Sequence, residues 1–185
     1  MRSLPRSRPP LLPWPIRGVA AGYVGVAAMT LAYYFERRVR SRGTESDSEG
    51  RAAGAAVLAD GRSVRGLASE TGLDYDDTVV PGQIVARILP LPRALTAHPG
   101  EIAIALRWGY GSVFGLAHVF IRHRVTEPRA SVIFGSLLLG VTFSMFPVLG
   151  HTPPPWRWSG EVIATALATH IAYVVAAATT DEILR

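Results

Sequence analysis

The chain has 185 residues, 49% of them hydrophobic and 18% charged, with 19 Lys+Arg against 14 Asp+Glu for a net charge of +5 and a mean hydropathy of +0.24. Soluble domains carry about a quarter charged residues, and here the apolar residues gather into a few long blocks, which points away from a soluble domain and toward a membrane protein. Zero cysteines exclude a disulfide, a thiol nucleophile and a thiolate-bound metal or iron–sulfur cluster.

Residues 1–17, MRSLPRSRPPLLPWPIR, hold five prolines and four arginines. Such a segment is expected to lie extended at a membrane surface, with Trp14 at interface depth. Residues 18–35 carry no charge and are about long enough, at ~1.5 Å per residue, to cross a bilayer core of ~30 Å. This first span runs straight into Glu36, Arg37 and Arg38. A cleaved signal peptide would be shorter and end at a small-residue site, so a retained anchor is expected.

A long polar connection, 36–101, follows. Within it, Ile84, Val85, Ile88 and Leu89 recur at helical spacing with Gln83 and Arg87 on the opposite face. Residues 79–89 are therefore expected to form a short amphipathic helix lying along the membrane surface. The acidic run Glu70, Asp74, Asp76 and Asp77 lacks the ligand spacing of a calcium loop and reads as solvated charge.

Three further spans are expected near 102–121, 130–149 and 161–178, the third ending at Pro147 before an interfacial HTPPPWRW. The fold class is thus all-α, a membrane-embedded four-helix bundle spanning 18–185 with both termini on one side. The two faces carry equal numbers of arginines near the spans, and the short loops favour cytoplasmic termini.

Helices in lipid associate by close packing of small residues. Gly18 and Gly22 in the first span, Gly111 and Gly115 in the second and Gly140 in the third are expected to pack. So is a stripe in the fourth made of Ala164, Ala168, Ala172 and Ala176. The glycines of GYGSVFG superficially suggest a dinucleotide loop, but they lie inside an apolar span rather than between a strand and a helix.

Ionisable residues within spans are the default functional candidates. Arg107 is close enough to the end of its span to snorkel. His118 and His170 invite a shared haem, but in an up-down bundle their depths differ by about 10 Å at helical rise, which disfavours any shared cofactor. His170, with Thr165, Thr169 and Tyr173 near it on the fourth span, is placed to relay protons or to bind a polar substrate, or else to bond another helix as a neutral imidazole. No cofactor and no metal is expected.

The stretches AAMTLAYYFERR, VVPGQIVARIL, RWGYGSVFGLAH, LGHTPPPWR and ATHIAY together resemble the YagU-like group of small multi-pass bacterial membrane proteins of unknown function, differing in the last span, where Val174 follows Tyr173. The resemblance implies the four-helix fold and a bacterial inner membrane, and it carries over no catalytic residue.

The function expected is that of a non-enzymatic packing or accessory subunit of a membrane assembly. The alternative is a small transporter or channel with a polar path near His170 and Arg107. The expected partners are the lipid bilayer, including anionic headgroups that arginine binds well, and a membrane-protein partner or a second copy. Nucleic acid is not among them.

Overall fold

A computed structural model describes residues 12–43, 92, 98–150, 154–158 and 160–185. Over these residues the chain forms four helices and no strand: α1 (Trp14–Gly43), α2 (Pro99–Arg122), α3 (Arg129–Gly150) and α4 (Gly160–Leu184), with one 3-10 turn at Pro155–Arg157. The expected surface helix at 79–89, the acidic run at 70–77 and most of the connection 36–101 lie outside the described residues.

Each helix outlasts its charge-free core. α1 begins at Trp14, inside the segment expected to be extended, because Pro15 sits in the first turn, where a missing N–H costs no helical hydrogen bond. The Arg17 N–H already donates to the Pro13 carbonyl at 3.1 Å. No proline interrupts the chain between Pro15 and Gly43, so the helix continues through Glu36–Arg38. Pro99 likewise opens α2. α3 runs through Pro147 rather than ending there, and α4 carries on past 178 through Asp181 and Glu182 to Leu184.

Among the described residues, three helical stretches are long and apolar enough to cross a membrane: Trp14–Glu36, Glu101–Arg122 and Val162–Leu184. The apolar part described for α3, Arg129–Met145, is shorter, which leaves the third expected span, 130–149, as a helix of lesser apolar length.

α1 packs chiefly on α2 and on α4, and α3 makes smaller contacts with α4 and α2. The core is Ala21 and Val26 of α1, Phe134 and Leu138 of α3, and Tyr173, Val174 and Ala177 of α4, with Met29, Phe114 and Ile121 packed against it. Small residues let the α1 and α2 backbones approach closely. A Cβ added at Gly115 would lie 2.6 Å from Gly22 Cα, one at Gly22 would lie 2.9 Å from Ser112 Cα, and one at Gly18 would lie 2.9 Å from Leu116 Cα. Tyr173 of α4 closes this crossing. Its ring packs where Gly25 has no side chain, and its hydroxyl donates to the Gly111 carbonyl at 2.7 Å.

The alanine stripe of α4 does not behave as expected. Ala164 and Ala168 are exposed and Ala172 and Ala176 half-buried, whereas Ala166, Thr169, His170, Tyr173, Val174, Ala177 and Asp181 face the protein. The spacing of four was correct for a helix face, but the inward face lies on the side carrying the larger and polar side chains. Gly140 also points away, with no atom within 4 Å of an added Cβ.

Candidate functional site

The strongest concentration of buried polar chemistry lies where α1 begins, α2 ends, α3 begins and α4 ends. An up-down course of α2, α3 and α4 puts these three ends on one side, and α1 starts there too. The turn between α2 and α3 is tight, with the Arg124 and Val125 N–H groups both donating to the Ile121 carbonyl at 2.9 Å.

At the centre is Asp181, which has no solvent exposure. Its two oxygens meet different helices. Oδ2 accepts from Arg122 Nη1 of α2 at 2.5 Å, and Oδ1 lies 3.0 Å from Arg17 Nε of α1. The second contact is ionic rather than an aligned hydrogen bond, since neither atom finds a hydrogen-bond partner. Arg122 spreads its remaining nitrogens over two more carboxylates: Nη2 bonds Glu182 Oε2, and Nε lies 3.1 Å from Glu127 Oε1.

Glu127 in turn serves the start of α3. Its Oε2 accepts the Ser131 backbone N–H at 3.1 Å, satisfying one of the donors that a helix N-terminus leaves open and placing negative charge where the helix dipole favours it. Fully buried His118 completes the group, with Nε2 3.5 Å from Glu127 Oε1 and 3.4 Å from Ser131 Oγ. Its ring centroid lies 5.0 Å from that of Phe134. Arg17 Nη2 and His118 Nδ1 are buried without a hydrogen-bond partner.

This arrangement ties α1, α2, α4 and the α2–α3 turn through charge-assisted contacts in a low-dielectric setting. Two buried guanidinium groups face three carboxylates, of which Glu182 alone is largely exposed. Removing one member strands its partners as uncompensated charge, so the cluster is mutually dependent.

Of the polar residues expected to matter, His118 belongs to this cluster and His170 does not. His170 accepts or donates within its own surroundings, with Nδ1 2.6 Å from the Ala166 carbonyl and Nε2 2.8 Å from Thr142 Oγ1 of α3. Tyr173 is committed to Gly111 as described. Arg107 is half-buried on α2. Gly18, Gly22, Gly111 and Gly115 meet at the α1–α2 crossing, while Gly140, Ala164 and Ala168 meet nothing comparable. Among the described residues, no three His, Asp or Glu side chains converge as a metal site.

Sequence reasoning missed Arg17, Arg122, Glu127 and Asp181 as a group. A signal existed in the topology: Arg17, Arg122 and Asp181 lie near helix ends and Glu127 in the turn between two of them, all on the same side, and Asp181 with Glu182 brings two charges into the last turns of α4.

Comparison of the chain with known protein families, characterised proteins and solved structures finds no match in any of the three.

Proposed function

We propose that the chain is a non-enzymatic integral membrane protein, a four-helix bundle that acts as a packing or accessory subunit of a membrane assembly. Three helices have the length and apolarity to span a bilayer, and the protein turns Leu31, Phe35, Val113, Val132, Leu137, Ile171, Val175 and Ile183 outward. Lipid or another membrane helix is the solvent for such faces. The termini are placed on the cytoplasmic side of a bacterial inner membrane, as the short-loop arginines and the YagU-like resemblance imply.

One observation carries the accessory reading over transport. His170, an ionisable group inside the stretch Val162–Leu184, has both ring nitrogens occupied by protein groups, Thr142 Oγ1 and the Ala166 carbonyl. A side chain spent on holding two helices together is not presented to a passing solute. The polar atoms at the Arg17 end are likewise engaged mainly with each other.

Purification from native membrane in mild detergent tests the proposal. The protein is expected to elute in an assembly larger than one chain, with no flux in reconstituted vesicles. A chain that elutes alone, or vesicles whose ion or solute flux disappears on His170→Leu, would overturn it in favour of the transporter reading.

A further inference from the structure

The buried ion pairs decide which charges at that end are left for a partner. Five arginines gather there among the described residues: Arg17, Arg122, Arg124, Arg129 and Arg185. Arg17 and Arg122 are buried and taken up by Asp181, Glu127 and Glu182. Arg124, Arg129 and Arg185 are exposed. The one largely exposed carboxylate of the cluster, Glu182, is already bonded to Arg122. The outward rim is therefore cationic, while every carboxylate of the cluster answers an inward guanidinium.

The same rim carries interfacial aromatic and apolar groups. Trp14 is exposed and meets the His123 ring edge-on at 6.3 Å. The Arg124 guanidinium stands 4.4 Å over the Phe120 ring, which holds its charge at the boundary between the apolar helix wall and the turn. Ile16, Phe120 and Ile183 are all exposed and lie within the apolar stretches Trp14–Glu36, Glu101–Arg122 and Val162–Leu184, whereas Arg124 and Arg185 lie just beyond them. An indole at the edge of an apolar stretch, guanidinium groups beyond the stretches and apolar side chains within them suit the layering of a phospholipid: phosphate, glycerol region and acyl chain.

We propose that Arg124, Arg129 and Arg185, with Trp14 beside them, form a recognition surface for anionic phospholipid headgroups at the α1-start end of the protein. The surface rests on the membrane reading above and adds to it a place and a lipid class. Guanidinium groups bind phosphoryl oxygens in bidentate fashion, and a bilayer leaflet rich in anionic lipid supplies both the phosphate and the chains that the adjoining Ile16, Phe120 and Ile183 require. A soluble phosphate would satisfy only the charges.

Native mass spectrometry of the full-length protein in mild detergent, titrated with phosphatidylglycerol and with phosphatidylcholine of identical chains, tests this. Phosphatidylglycerol is expected to bind preferentially. The combined variant Arg124→Gln, Arg129→Gln, Arg185→Gln is expected to lose that preference by on the order of a hundredfold, since each basic group near an anionic surface contributes about a fivefold factor. Arg157→Gln, in the 3-10 turn at the other end, should keep it.

Equal binding of the two lipids, or a preference that survives in the combined variant, would overturn the assignment. So would displacement of bound phosphatidylglycerol by inorganic phosphate, because the site would then read charge alone. If the protein took up neither lipid and stayed dissolved without detergent, the membrane reading itself would fall. Retained phosphatidylcholine uptake in the combined variant shows that its fold and lipid contact are intact.

Discussion

Arg17, at the start of α1, and Asp181, near the end of α4, sit 3.0 Å apart with side-chain exposures of 3% and 0%. The two ends of the described chain are thus joined inside the protein, and Arg122 of α2 shares the same carboxylate. Charges in so apolar a setting persist only while each has its counterpart.

Asp181→Asn should therefore destabilise the protein by about 3 to 5 kcal/mol, the cost of leaving buried charge unpaired. Thermal unfolding in detergent measures it. In the Asp181→Asn background, Arg17→Gln should cost much less than it does alone, because its counter-ion is already gone. Equal costs in both backgrounds would show that the pair is not coupled.

The α1–α2 crossing gives a second contrast. Gly115→Ala places a methyl group 2.6 Å from Gly22 Cα, where only backbone movement can relieve the clash, so it should cost at least 1 to 3 kcal/mol, the usual range for overpacking. Gly140→Ala and Gly109→Ala add a methyl group to open space and should leave the melting temperature unchanged or slightly raised through better helix propensity. A tolerated Gly115→Ala would contradict the close approach.

Helix four reverses the expectation drawn from its alanine stripe. Ala168 is exposed, so Ala168→Leu should change stability by less than about 0.5 kcal/mol, as surface substitutions do. Ala177 is fully buried beside Tyr173 and Val174, and Ala177→Leu should cost about 1 to 3 kcal/mol. Denaturation of the dispersed protein separates the two, and a larger loss from Ala168→Leu would restore the stripe as the inward face.

The helices were legible because each holds a charge-free run, but their ends were not. Asp181 and Glu182 look like the exit from a span, yet the helix keeps them because Arg17 and Arg122 wait there, and that pairing exists only once four helix ends meet. The glycines at 18, 22, 111 and 115 could be read because close packing admits little else, whereas alanine suits a packed face and an exposed one alike. His118 stood out as an intramembrane histidine. Its partner Glu127 passed for a loop residue, since a turn residue's role in capping the next helix and facing a buried ring depends on how the turn folds back.

The last prediction concerns His170, on which the accessory reading turns. Its Nδ1 faces the Ala166 carbonyl at 2.6 Å, and a carbonyl only accepts, so Nδ1 must carry the proton. Nε2 is then the lone-pair nitrogen, and the Thr142 hydroxyl, 2.8 Å away, donates to it. Nitrogen NMR of the ring should accordingly show the Nδ1–H tautomer. Thr142→Val should remove the only donor placed on Nε2 among these bonds and cost about 0.6 kcal/mol, rising to no more than about 1.7, the range measured for hydrogen bonds between membrane helices. His170→Leu removes both bonds at once and should lower stability while leaving every flux assay of the reconstituted protein unchanged. An Nε2–H tautomer would contradict the bonding scheme, and a flux that vanishes in His170→Leu with the assembly intact would show that the side chain serves a path rather than a joint between α3 and α4.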